Sequence, residues 1–487
     1  MLSETPIEET EMAPDVAALD GGQTELGEQS VADLTAQLDG KVLTPEDPGY
    51  AEIREPFNAM QRSRPALVVR CSATDDVVAA VNFARENGLL AAVRGGGHSI
   101  AGLSSIDGGL LIDLSPMSEV SVDADQAQAR VQGGAVWADV DAATQKEGLA
   151  TPGGVVSDTG VAGLTLGGGY GWLRRKLGLS CDNVLEAEVV CADGEVRAAS
   201  PDSNPDLYWA IRGGGGNFGV VTSFTFKLHP LGPEVAFAAT MYPVEEIADI
   251  LRGWRSYVLD APDEVTSVVV TITFPANPEM PEAVHDRPIA IVGGVYAGDA
   301  EEGMKVMQPL RELGTVLFDM SGPTPFTEVQ AGFDPLFPRN TLNAYWKSMY
   351  VNELSDEAID VLASRALDRP APRTLVNTFH MGGAIAGVDP EATAFSERSA
   401  PFMVSIDGMW DDPALNEDGI AWVRDAWSQV AKFGTGGVYL NFTGLSEEAP
   451  SAGVDSAFGR NLNRLAEIKS TYDPGNLFRL NNNIEPA

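Results

Sequence analysis

From residue 65 onward, apolar residues fall in short continuous runs that alternate with stretches repeating every three to four positions, with glycine and proline at the joins. That texture predicts alternating strands and helices. Residues 66–70 predict a strand, and Thr74-Asp75-Asp76 opens a helix in which Val77, Val78, Val81 and Ala84 recur at helical spacing until Gly88. Residues 89–93 predict a strand that runs directly into three glycines. A strand at 110–114, a hairpin at 120–132 and a helix at 136–147 follow, then a hairpin at 185–199 turning at Asp193-Gly194. After Pro230 the runs lengthen, with strands at 265–274 and 289–296 and amphipathic helices at 301–313 and 356–367, a second domain of sheet plus helices. No repeat of roughly 20 to 50 residues interrupts this order.

The segment before the pattern begins is different. The first forty residues carry ten acids and no base and show little apolar periodicity, so 1–39 is expected to be a disordered or loosely attached acidic tail. The whole chain of 487 residues is too long for one core and suits two domains of ordinary size.

Charge narrows the partners. Against 32 Lys and Arg stand 70 Asp and Glu, a formal net charge of −38, and only eight of the bases are Lys. Such a surface repels nucleic acid and anionic lipid. An acidic patch for a cationic partner and a general acidity suited to a salty cytoplasm are the two sources of such a surplus. The spread of acids through nearly every part of the chain favours the halophilic reading, in which charge describes the solvent and not the substrate.

Cys71, Cys181 and Cys191 are odd in number and form no metal-binding spacing, so buried thiols in a reducing compartment and no metal site are expected. The N-terminus lacks the basic and apolar regions of a signal peptide, and no apolar run is long enough to span a membrane, so a cytoplasmic location is expected.

Three glycine clusters carry the chemistry: Gly95-Gly96-Gly97, Gly167-Gly-Gly-Tyr-Gly171 and Gly213-Gly-Gly-Gly-Asn-Phe-Gly219. Glycine lets backbone approach a ligand and turn N–H groups toward a pyrophosphate. The third cluster also fits G-x-G-x-x-G at Gly214, Gly216 and Gly219, but it follows a predicted helix, 204–211, and precedes a predicted strand, 220–228. A nicotinamide site needs the reverse order. Tight turns alone explain one such cluster; three in one domain point to a shared dinucleotide held outside a Rossmann fold.

Arg94-Gly-Gly-Gly-His-Ser-Ile-Ala-Gly102, Thr151-Pro-Gly-Gly154, Gly160-Val-Ala-Gly-Leu-Thr-Leu-Gly-Gly-Gly169, Cys181-Asp-Asn183 and Arg212-Gly-Gly-Gly-Gly-Asn-Phe-Gly219 resemble the FAD-binding domain of the vanillyl-alcohol oxidase superfamily. Tyr472-Asp-Pro-Gly-Asn-Leu-Phe-Arg-Leu-Asn-Asn-Asn-Ile484 resembles the C-terminal signature of its berberine bridge enzyme-like branch. The resemblance covers about residues 60 to 487 and implies an α+β fold of two domains. A PCMH-type FAD-binding domain would span 40–233, a substrate domain with an antiparallel sheet under helices 234–440, and a segment returning to the FAD domain 441–487.

The same resemblance implies FAD attached covalently through His98, whose imidazole is a competent nucleophile. Relatives that add a cysteinyl link carry the thiol where this chain has Val156, within Gly154-Val-Val-Ser-Asp-Thr159, so a single link is implied. By similarity Arg94, Gly95, Gly96, Gly97, Ser99 and Gly102 surround the attachment turn. Gly153, Gly154, Ser157, Gly160, Thr165, Gly167 and Gly168 would line pyrophosphate and isoalloxazine, Gly216 and Val221 the adenine side, and Asn481 and Asn483 would bond the flavin or the base.

Flavin oxidation needs a base for the substrate hydroxyl or amine proton while hydride leaves for the flavin. Gly437-Val-Tyr-Leu-Asn-Phe442 resembles the Tyr-x-Asn strand of the family, which would put Tyr439 and Asn441 on one face. A phenol of ordinary pKa ~10 needs a cation beside it to act as a base, and Lys347 is the candidate. A packed tyrosine and a surface lysine are the plain alternatives. His380 falls on a predicted substrate-domain strand, more readily as a core residue than a pocket one, and His229 and His285 read as structural or exposed. The expected activity is oxidation of an alcohol or amine carbon of a sugar or secondary-metabolite type of substrate, with O2 as acceptor. A dehydrogenase with another acceptor and a non-catalytic flavin-containing sequestration protein are the alternatives; oligomeric state is left open.

Overall fold

In the computed structural model, which describes residues 15–276, 278, 280–444 and 452–487, the predicted strand-helix-strand unit frames the first glycine turn. Leu67–Arg70 and Ala91–Arg94 flank Leu110–Asp113 in parallel, and Lys41–Leu43 adds an antiparallel edge. The helix Thr74–Glu86 connects the first two strands and buries Val77, Ala80, Val81 and Ala84 against them. Its start is fixed by Asp76, whose buried carboxylate accepts backbone N–H groups of Ser72 at 2.7 Å, Asp39 at 2.8 Å, Gly40 at 3.1 Å and Ala73 at 3.3 Å.

Those contacts correct the expected tail. From Asp15 the chain is ordered: Asp15–Ala17 pairs antiparallel with Gln23–Glu25, Glu28–Thr35 is helical, and Ala17 N–H donates to Gly108 O at 2.7 Å. Val16, Leu26 and Leu34 are buried in the core of the parallel sheet. Each such side chain gains about 1.5–3 kcal/mol on burial, enough to order a segment whose mean composition reads as solvated. Residues 1–14 of the expected tail lie outside the described residues.

A second, five-stranded antiparallel sheet runs in the order Val196–Ala199, Val184–Val190, Val220–Lys227, Gln128–Gln132, Val120–Asp123. The helix Leu462–Tyr472 comes back to this half. Lys469, buried, donates to Asn217 O at 2.8 Å, to Phe478 O at 2.9 Å and to Asp473 Oδ2 at 2.8 Å, and so ties the C-terminal segment to the third glycine cluster.

The remaining large sheet is antiparallel and eight-stranded, its main path running Phe318–Asp319, Glu234–Pro243, Arg287–Tyr296, Val265–Phe274, Leu375–His380, Phe402–Trp410, Asn343–Val351. β-branched residues dominate Val265–Phe274, as a strand buried on both faces requires. Alternation sorts its side chains. Val265, Val269, Tyr345, Met349, Val404 and Ile406 pack under the helices Ile247–Val258, Asp356–Leu367 and Asn416–Ala431. Val268, Val270, Trp346, Tyr350, Met403 and Met409 face the FAD-binding half. The helix expected at 301–313 ends at Val306 and continues as a 3-10 turn, Gln308–Arg311, because Pro309 has no N–H to sustain the helical ladder. No helix among the described residues is long and apolar enough to cross a membrane.

Candidate active site

Between the glycine turns and the inner face of the large sheet lies a cavity of about 310 Å³. Of the residues expected at the cofactor, Gly95, Gly96, Gly97, His98, Ser99, Gly160, Gly167, Gly216, Val221 and Asn481 line it. The wall closes by backbone-on-backbone contact: a Cβ on Gly96 would fall 2.4 Å from the Gly160 Cα, and one on Gly160 2.4 Å from the Gly96 N. At Gly163 and Gly216, by contrast, a Cβ would meet no protein atom within 4 Å, and both line the cavity. Ser104 Oγ and Asn481 Oδ1 are buried there without a hydrogen-bond partner. Open space beside glycine backbone, with unsatisfied polar atoms in the same wall, fits a bound dinucleotide cofactor.

His98 stacks on Phe57, ring centroids 4.0 Å apart, and its Nε2 lies 3.0 Å from Asp158 Oδ1. Arg339 reaches Asp158 Oδ2 at 3.4 Å and also donates to Gly96 O from Nη1 at 2.9 Å and from Nη2. Burial raises the Asp158 pKa, but the hydrogen bond with His98 and the positive charge beside it, that of Arg339 included, outweigh it and leave the carboxyl below its usual range. Val156 is buried in the cavity wall, and Cys181 and Cys191 are buried elsewhere.

Other expected cofactor residues stand away from the cavity. Arg94 lies behind the turn with Nε 4.0 Å from Asp113 Oδ1. Gly102 makes room for Gln61, Gly153 for the Trp137 ring, Gly154 for Leu164 and Gly168 for the Phe395 ring. Ser157 binds Asp334 through its N–H at 2.8 Å and its hydroxyl at 2.5 Å. Thr165 Oγ1 and Asn483 Oδ1 are buried without partners, outside the cavity lining. These residues shape the wall from behind because a glycine motif packs against protein on one side and ligand on the other.

Tyr439 and Asn441 both reach the cavity, though not as parts of a strand. Tyr439 is extended and enters a 3-10 turn, Leu440–Phe442, anchored by the Tyr439 N–H donating to Ser348 Oγ at 3.0 Å. Asn441 Nδ2 donates to Tyr439 Oη at 2.8 Å and to Leu164 O at 3.0 Å, and Gly169 N–H donates to the same phenol at 3.2 Å. Gly167 is required here, since a Cβ would fall 2.2 Å from Asn441 Oδ1. Burial pushes the phenol pKa well up despite both donors, so Tyr439 is neutral near pH 7 and offers its O–H as a donor.

The cation expected beside it is elsewhere. Strand alternation turns Trp346 and Ser348 toward the cavity and Lys347 toward the helical layer, where Nζ sits 4.7 Å over the Trp427 ring. Lys347 therefore does not activate Tyr439. His380 is in the core, pushed down to about 2 by burial and by the charges of Arg175 and Arg174, and stays neutral. His229 meets Asn183 Oδ1 at 2.7 Å and His285 meets Met280 O at 2.7 Å.

Three titratable residues of the cavity, Tyr170, Arg174 and Asp407, are not among the site residues expected from the sequence. Asp407 lines the cavity, 3% exposed, and accepts hydrogen bonds from Asn377 Nδ2 at 2.6 Å and from Ser405 Oγ. Burial pushes its carboxyl up to about 7, against the pull of both donors. The signal was available: Ser405 and Asp407 are polar at i, i+2 within an otherwise apolar run, as two residues facing a pocket would be.

This architecture, a PCMH-type glycine cradle roofed by a large antiparallel sheet, defines a two-domain α+β flavoprotein. A model described as "FAD binding domain" matches residues 65–200, and one described as "Berberine and berberine like" matches 438–485. The chain is 31% identical over 457 residues to the uncharacterized FAD-linked oxidoreductase YgaK of Bacillus subtilis, covering 92% of this chain and 98% of the relative. It is 30% identical to the (R)-6-hydroxynicotine oxidase of Paenarthrobacter nicotinovorans, covering 92% and 97%. The crystal structure of 6-hydroxy-D-nicotine oxidase from Arthrobacter nicotinovorans superposes with a TM-score of 0.82 at 28% identity, over 92% of this chain and 98% of that one. The chain belongs to the berberine bridge enzyme-like FAD-linked oxidoreductases of the vanillyl-alcohol oxidase superfamily, and it is an FAD-dependent enzyme acting on a small molecule.

Proposed function

We propose that this protein is an oxidase that holds FAD by a single covalent bond to His98 and oxidises an alcohol or amine carbon, with O2 as the final acceptor. The observation that carries the reading is His98 itself: its ring lines the cavity while Nε2 is held by Asp158 and Arg339 holds Asp158. With Nε2–H donated to that carboxylate, Nδ1 carries the lone pair available for attachment. Val156 offers no thiol for a second bond. The cradle formed by Gly95–97, Gly160, Gly163, Gly216 and Asn481 would hold the cofactor, which when bound supplies a two-electron acceptor for hydride from the substrate carbon.

Tyr439 donates its O–H into the site, and Asn441 and Gly169 fix where that proton points. The three cysteines, all free and buried, suit the reducing cytoplasm in which we place the protein.

Acid denaturation tests the tether. Yellow colour should stay with the precipitated wild type and leave with the supernatant in His98→Ala; colour lost from the wild type contradicts it. Stoichiometric H2O2 release during turnover supports O2 as acceptor, and turnover confined to artificial acceptors rejects it.

A further inference from the structure

Among the described residues, Asp407 is the only carboxyl that lines the cavity, and no cation is paired with it. Both of its hydrogen-bond donors, Asn377 and Ser405, are neutral. Arg174, the one guanidinium in the lining among the described residues, spends its donors on carbonyls: His380 O at 2.8 Å, Gly171 O at 2.9 Å and Ser267 O at 3.0 Å. A buried carboxyl without a counter-ion either stays protonated or takes its cation from what binds beside it.

The rest of that wall is apolar, aliphatic at Val268, Val270 and Leu375 and otherwise rich in aromatic rings. Tyr170 packs on Tyr439 at 4.5 Å and on Phe379 at 5.5 Å, and Trp346 on Phe442 at 5.1 Å and on Phe337 at 5.9 Å, between centroids. Such walls suit an apolar or aromatic body and also the face of an ammonium group. A polyhydroxylated substrate would need many more polar partners than this wall offers.

We propose that the site takes a small amine with an apolar or aromatic body, its ammonium paired with the Asp407 carboxylate. This substrate class rests on the oxidase reading above. The ammonium gives one N–H proton to Asp407. The amine then loses its α-hydrogen with the bonding electron pair to the flavin and leaves as an iminium, so the substrate is oxidised and the flavin reduced by two electrons. Among the described residues, Tyr170, Tyr439, Arg174 and His98 are the other titratable side chains of the cavity wall.

The test is binding, free of turnover, to the flavin-loaded wild type. The probes are 2-phenylpropan-2-amine and 2-phenylpropan-2-ol, a matched pair with no α-hydrogen to lose, titrated calorimetrically. The amine should bind roughly tenfold or more tighter than the alcohol, as a charge-assisted hydrogen bond requires. Its affinity should rise from pH 5.5 to 7.5 as the carboxyl ionises while the alcohol's stays flat, and Asp407→Asn should remove the preference. Equal affinities, a flat pH series for the amine, or a preference that survives in Asp407→Asn each overturns the proposal; the wild-type pH series stands even if the variant folds poorly. Flavin bleaching by benzyl alcohol without any amine preference would sink the amine inference and leave the oxidase reading intact. Amine preference with a flavin that benzylamine and benzyl alcohol both fail to bleach would do the reverse.

Discussion

The two walls of the cavity are built in opposite ways. The wall we propose for the cofactor is made of backbone: the Gly95–Gly97 turn against Gly160, with His98 at its end. The substrate wall is made of single side chains from separate strands, Trp346, Asn377 and Asp407, brought together only by sheet pairing. The first wall binds through what the backbone can do and tolerates no added atoms. The second acts through individual functional groups that can be exchanged without moving the chain. Holding the flavin and handling the substrate are therefore separable by mutation.

Gly96→Val should break the first wall outright. Its Cβ alone would overlap Gly160, and overpacking of this kind costs about 1–3 kcal/mol or forces the turns apart. Flavin content, read as the visible-to-ultraviolet absorbance ratio, should fall close to zero, while the buried sheet opposite keeps its secondary structure by circular dichroism. Retention of full flavin would show that the two glycine turns are not in contact.

Tyr439→Phe acts on the second wall alone. Full covalent flavin should remain, and the rate of flavin reduction by substrate should drop by about 100-fold, the lower range for loss of a positioned proton donor or acceptor. Gly169 N–H loses its partner in the variant, so a melting-temperature decrease of modest size should accompany the kinetic loss.

Lys347→Met should have the smallest effect. The half-buried side chain faces Trp427 on the far side of the sheet, where a cation–π contact contributes about 0.5–2 kcal/mol to stability and nothing to the cavity. Flavin reduction should stay within about twofold of the wild type, since no chemistry of the cavity passes through it. A large kinetic loss at constant flavin content would restore Lys347 to the site.

The same contrast explains what could be read from the sequence. His98 and its glycines were legible because a tight turn and a close approach are written in consecutive residues. Tyr439 and Asn441 both reach the cavity, but a 3-10 turn and a hydrogen bond between them stand in place of the expected strand alternation. Lys347 was misplaced because alternation says that it opposes Trp346, while the choice of cavity face depends on where three helices dock, a non-local fact. Asp407 carries only a partial local signal, the polar i, i+2 pair with Ser405, because its environment is set by burial and by Asn377 on the neighbouring strand, which are non-local. Residues 15–39 were misread because a mean over composition hides three apolar side chains at docking positions.

The separation of holding from reacting is tested most directly by anaerobic reduction of the bound flavin by benzylamine in the wild type and in Asp407→Asn. The expected result is full covalent flavin in both proteins, with reduction slowed by on the order of 100-fold or more in the variant. Reduction of the variant at the wild-type rate, or loss of its flavin, would contradict a division of labour between the two walls.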